Sequence, residues 1–112
     1  MNEDRLNEYR IMWLLVFFDM PTETKAQRKA YSDFRKRLIA DGFTMFQFSV
    51  YVRHCASWEN AEVHKKRVRS FISDYGEIGL LTITDKQFSS IELFHGVKKE
   101  QPRPRVIQLE LF

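Results

Sequence analysis

A single cysteine, Cys55, stands in a chain of 112 residues. It has no partner for an internal disulfide, which points to a reducing, cytoplasmic setting. No apolar stretch approaches the roughly 20 residues needed to cross a bilayer, so a membrane span is excluded. Residues 1–9 are polar, mixed in charge and without the pattern of a signal peptide. There is no internal repeat and no low-complexity segment. No G-x-S-x-G, glycine-rich phosphate loop or H-E-x-x-H occurs, and His54, Cys55, His64 and His95 lack zinc-ligand spacing. The net charge is only +3, so a case for nucleic acid has to come from clustering of the basic residues.

What the chain does have is apolar and aromatic residues, at 44% and 14% of its length, too many for a disordered tail. Its length fits one domain with a real core that still gains from oligomerisation. The run Trp13-Leu14-Leu15-Val16-Phe17-Phe18 ends at Asp19 and is followed by Met20-Pro21. An unbroken apolar run of this length predicts a strand covered on both faces, ending where the chain turns. A carboxylate there is costly to bury unless it is paired, hydrogen-bonded or metal-bound. Asp19 therefore either makes hydrogen bonds in the turn before a helix or offers its acid to Mg²⁺ or a partner chain.

Thr24-Lys25-Ala26-Gln27 has the form of a capping box, with Thr22 a second candidate cap. Ala26, Ala30, Phe34 and Leu38 then recur on one helical face, and Asp41-Gly42 closes that helix. Next, Phe46, Phe48, Val50 and Val52 alternate with Gln47, Ser49, Tyr51 and Arg53, predicting a strand with two unlike faces. Whether it folds into a hairpin is left open by the pattern. A second helix fits residues 59–75, with Ala61, Val68, Phe71, Ile72 and Tyr75 on one side and His64 facing inward. Residues 79–84 read as a strand, 85–90 as a turn or single helical turn, and 91–94 as a short strand. The domain so defined spans residues 10–97, after the polar extension 1–9. Residues 98–112 form a basic, proline-bearing linker and a final alternating segment that reads as an edge strand.

Two helices among four or five strands predict an α/β (α+β) ferredoxin-like βαββαβ sandwich with an extra C-terminal edge strand. Such a sheet carries its helices on one face. The first strand is nevertheless apolar on both, with Met12, Leu14, Val16 and Phe18 on one side and Trp13, Leu15 and Phe17 on the other. One set needs cover beyond the chain's own helices, and a second copy in a homodimer is the simplest. By alternation Asp19 shares the Trp13-Leu15-Phe17 face, so two copies of it would approach across a dimer axis.

The basic residues cluster. Lys25, Lys29 and Lys36 form one helical stripe with Arg28 and Arg35 beside it, opposite the apolar face. Lys65, Lys66, Arg67 and Arg69 make a second group, and Lys98, Lys99, Arg103 and Arg105 a third. Each alone is ordinary solvated surface; together they point to sequence-independent, salt-sensitive phosphate contacts. The aromatic strand invites comparison with an RNA-recognition sheet but lacks that signature, and Phe46 and Phe48 are expected to face the helices as core. One carboxylate is thin equipment for a nuclease, which calls for metal held by several ligands.

Several motifs follow one another in order: Phe17-Phe18-Asp19-Met20-Pro21-Thr22, Arg28-Lys29-Ala30-Tyr31, Gly42-Phe43, Gln47-Phe48-Ser49-Val50-Tyr51 and Leu81-Thr82-Ile83-Thr84-Asp85-Lys86-Gln87-Phe88. In this order and spacing the chain resembles the small CRISPR-associated adaptation proteins, usually labelled endoribonucleases. It is most similar to the branch found beside single-protein RNA-guided DNA nucleases. The resemblance implies a homodimer with Asp19 at the interface as the Mg²⁺ ligand and catalytic acid. It also implies a dimer that bridges two dimers of the CRISPR integrase and helps hold a double-stranded foreign DNA for insertion as a new spacer. Members need not cleave nucleic acid, so the role in integration can be structural. Ile107, Leu109 and Leu111, alternating with Gln108 and Glu110, are expected to be the face that meets a partner, through strand addition.

Overall fold

A computed structural model describes residues 10–96. The elements run β1 (Met12–Asp19), α1 (Lys25–Ala40), β2 (Thr44–Gln47), β3 (Val50–Cys55), α2 (Trp58–Ser70), β4 (Glu77–Thr84) and α3 (Asp85–Ser89). The strands form one sheet in the order β2-β3-β1-β4, with every neighbouring pair antiparallel. This is the βαββαβ ferredoxin-like arrangement that the sequence predicts. The extension 1–9, the linker, and the segment with Ile107, Leu109 and Leu111 expected to form an edge strand lie outside the described residues.

β1 is central, which explains why it is apolar on both sides. Met12, Leu14, Val16 and Phe18 pack with Phe34 and Leu38 of α1 and Ala61 and Val68 of α2. Trp13 faces the other way and joins Phe46, Val52 and Phe88 in a second buried cluster. That face is therefore partly covered by the chain itself. The chain covers the Trp13 end itself: Phe88 of α3 stacks on the indole at 4.0 Å, and Trp13 Nε1 donates to Asp85 Oδ1 at 2.7 Å. A capping box of Thr84 and Gln87 starts α3 immediately after β4, which holds Phe88 over the sheet.

α1 begins at the expected box. Thr24 Oγ1 accepts from the Gln27 backbone at 3.1 Å, and Gln27 Oε1 accepts from the Thr24 backbone at 3.0 Å. It ends at Gly42, whose φ of 92° is the left-handed stop. Of the predicted apolar stripe, Phe34 and Leu38 are buried and Ala26 is exposed.

The open question of the hairpin is answered, and three expectations are corrected. The aromatic strand is a hairpin with its turn at Phe48-Ser49; Ser49 takes a φ of 66°, and a bulge lies between Met45 and Gln47. The turn sends Phe46 to the Trp13 side of the sheet rather than toward the helices, and leaves Phe48 80% exposed. α2 stops at Ser70 rather than near residue 75, because Ser and Asp side chains compete for the backbone: Ser70 Oγ donates to the Arg67 carbonyl and Ser73 Oγ accepts from the Tyr75 backbone. Residues 91–94 form no strand, and Ile91 and Leu93 pack instead against the Trp13 cluster.

Candidate metal and nucleic-acid site

Along the second face of the sheet the residues of β1 and β4 sit in rows: Trp13 beside Ile83, Leu15 beside Leu81, Phe17 beside Gly79, and Asp19 beside Glu77. Cover falls away along these rows. Trp13 is buried, Phe17 is 45% exposed and Leu81 is 48% exposed. Asp19 ends the series, solvent-exposed, on the face that strand alternation assigns to it.

Close backbone approaches build this end of the sheet. The Phe18 N–H donates to the Ser49 carbonyl at 3.1 Å, which ties the hairpin turn to β1. A Cβ on Gly76, whose φ is 81°, would lie 2.3 Å from the Asp19 carbonyl oxygen, so only glycine lets β4 start here. Around Asp19 opens a groove of about 490 Å³ lined by Phe17, Phe48, Glu77 and Gly79 among others. The turn reading of Asp19 is not what forms: among the described residues its carboxylate accepts no hydrogen bond.

Sequence reasoning missed Glu77. It sits between two glycines in a stretch that reads as a turn, and only the register sets it beside Asp19. Like charges directly opposite on antiparallel strands repel, and a cation relieves that repulsion. Among the described residues no three His, Cys, Asp or Glu side chains gather as a metal site. Among the described residues, the donor set at this end of the sheet is thus the two carboxylates of Asp19 and Glu77. That suits Mg²⁺, which takes one or two carboxylates and fills its remaining positions with water and phosphate oxygens.

Of the five basic residues assigned to phosphate, the structure leaves Lys25 and Lys36 exposed and without a partner among the described residues. Lys29 pairs with Asp33 at 3.0 Å on the surface. Arg28 donates to the carbonyls of Thr22 and Glu23, bracing the chain ahead of α1. Arg35 Nε donates to the hydroxyl of buried Tyr51 at 2.7 Å. All five lie on the outer part of α1, away from the rows of the second face.

The inward histidine has a partner that the sequence did not reveal. His64 Nδ1 lies 2.7 Å from Asp41 Oδ2, and Arg67 Nη1 donates to Asp41 Oδ1 at 3.0 Å. Arg53 Nε donates to the Asp41 carbonyl at 2.7 Å. One aspartate at the end of α1 thereby fastens α2 and β3. Beside it, burial pushes the Cys55 thiol above its ordinary pKa, against the opposing pull of Arg53.

The family model described as CRISPR associated protein Cas2 matches residues 12–91. A relative named CRISPR-associated endoribonuclease Cas2 from Flavobacterium psychrophilum is 58% identical over 108 residues, covering 96% of this chain and 94% of its own. The protein of the same name from Parvibaculum lavamentivorans is 52% identical over 101 residues, covering 90% of this chain and all of its own length (100%). That from Ligilactobacillus salivarius is 42% identical over 92 residues, covering 82% of this chain and 91% of its own. The family match runs from the first residue of β1 past the end of α3 and so takes in the whole sheet, the Asp19 groove and both long helices. The chain belongs to the Cas2 family of CRISPR-associated proteins, a component of CRISPR adaptation.

Proposed function

We propose that this protein works as a homodimeric scaffold in spacer acquisition, binding foreign duplex DNA and bridging two dimers of the CRISPR integrase. The observation that carries the reading is the half-covered second face, where Phe17 and Leu81 are each nearly half exposed on the two strands that lead to Asp19. Apolar side chains on a central strand are stabilised by burial, and a two-fold copy brings the same surface to meet itself. α1 then presents Lys25, Lys29 and Lys36 outward to DNA phosphates, with Arg28 and Arg35 holding the helix and the strand beneath it in place. The C-terminal segment with Ile107, Leu109 and Leu111 supplies the integrase contact in this reading.

A second reading is a Mg²⁺-dependent endonuclease or endoribonuclease, favoured by the Asp19–Glu77 row and in keeping with the names of the relatives. Asp19 and Glu77 would hold the ion, which when bound polarises a phosphoryl oxygen and acidifies a water. The chain's own part is to orient the two acids from adjacent strands and leave their outer side open to a phosphate. The two readings part at Asp19. In a reconstituted integration assay, Asp19→Ala is expected to insert spacers at close to the wild-type rate while losing any Mg²⁺-dependent cleavage. An Asp19→Ala protein as inactive in integration as a preparation lacking the integrase would reverse this order.

A further inference from the structure

On the helix side of the molecule, sharing no residue with the Asp19 groove, two cavities of about 220 and 380 Å³ adjoin. Arg37 and Phe71 line both. The smaller is floored by Phe34 and Phe71 and walled by Ile72 and Tyr75, which stay 42% and 38% exposed because α2 stops at Ser70. The larger ends at Arg67 and Ser70. Arg37 lies over the Phe71 ring, 5.7 Å from its centre, and has no carboxylate partner among the described residues. The Arg67 side chain is anchored on Asp41 yet remains 59% exposed.

We infer that this groove receives an extended segment of a protein partner, apolar side chains seated on Phe71, Ile72 and Tyr75, and one carboxylate against Arg37. The smaller cavity, at about 220 Å³, takes one or two side chains. An aromatic face under Arg37 holds its guanidinium in place before anything binds, which lowers the ordering cost of a charged contact. A nucleic acid suits the groove less well. Asp33, Asp41 and Asp74 line its walls, and a chain of phosphates would run past all three. A peptide with a single acid sets its one negative charge against Arg37, the arginine of the groove without a carboxylate partner among the described residues.

The test starts from a display library of random peptides selected on the full-length protein. One enriched peptide is then synthesised and its Kd measured by fluorescence anisotropy. Enriched sequences should set an Asp or Glu near Leu, Ile or Phe. Binding should weaken about tenfold or more with Arg37→Glu, and fall similarly with the Ile72→Ala/Tyr75→Ala double variant. Exchanging the peptide's acid for Lys should restore binding to Arg37→Glu, a gain that only a folded variant can show. Selection without such a motif, an Arg37→Glu Kd equal to wild type, or a Lys-bearing peptide that fails to recover binding overturns the assignment. Displacement of the peptide by duplex DNA in low salt, with Arg37→Glu weakening that duplex, would instead make the groove a nucleic-acid surface.

Discussion

Leu81 tests the dimer most directly. It sits on β4 beside Leu15, on the open part of the second face, with 48% of its surface exposed. Burying a leucine completely is worth about 1.5–3 kcal/mol, so finishing the burial of this one yields about 1 kcal/mol per protomer. A two-fold interface counts it twice, giving about 2 kcal/mol, or about a 30-fold change in Kd. Leu81→Ala should therefore weaken dimerisation about 30-fold, and Leu81→Asp, which sets two carboxylates in the same apolar patch, should leave only monomer at micromolar concentration. The single-chain fold asks little of this side chain, so both variants should keep the wild-type circular dichroism spectrum. Sedimentation velocity over a concentration series reads the Kd. A wild-type protein that sediments as a folded monomer at micromolar concentration would refute the dimer itself. Unchanged dimerisation of Leu81→Asp would refute the choice of face.

Other consequences are sharp enough to measure. The Lys25→Ala/Lys29→Ala/Lys36→Ala variant should lower the slope of log Kd against log salt for duplex DNA by about three units, one per phosphate contact, without altering sequence preference; an unchanged slope returns the stripe to plain solvated surface. Asp41→Ala should cost about 2–3 kcal/mol in urea titrations at fixed protein concentration, chiefly from the lost bond to buried His64. Arg67→Ala should cost under about 1 kcal/mol because that pair is exposed, and equal losses for the two would show that the buried bond is not the strong one. Truncation after Arg105 should abolish integrase pull-down while leaving the dimer intact, and full retention of both would remove the tail from the assembly.

How much of this was legible depended on whether a signal was local. The Thr24–Gln27 box and the Gly42 stop are short-range devices and form as written. The β1 run announced a central strand because burial on both faces erases alternation. The hairpin at Phe48-Ser49 is left undecided by the pattern. Its turn uses neither Asn-Gly nor Gly-Gly, and a serine with positive φ leaves no mark in an aromatic, β-branched stretch. The α3 cover was hidden, since Phe88 is the sole apolar residue in Asp85-Lys86-Gln87-Phe88-Ser89-Ser90. At the site, Asp19 was visible because a carboxylate interrupts an apolar run. Glu77 was invisible because it becomes a neighbour only through strand register. Asp41 looked like a helix stop, and its other role depends on side chains 23 and 26 residues away.

The rows of the second face form a gradient that ties these pieces together. α3 and the segment after it complete the burial of Trp13 at one end. The middle rows are apolar and half open, and the last row sets two carboxylates side by side. A short helix is long enough to cover one end of such a face and too short to cover all of it, so the open rows favour a second copy. In the proposed dimer the acids at the far end would limit how tightly two copies can close, because each copy would bring its own like-charged pair toward the contact. A dimer built this way is most stable when that last row is neutralised, whether by Mg²⁺, by a basic side chain or by removal of one acid. On the proposed reading Asp19 is a cost to the scaffold and an asset only where metal or phosphate meets it, and for that reason substitutions at this one residue should separate assembly from cleavage.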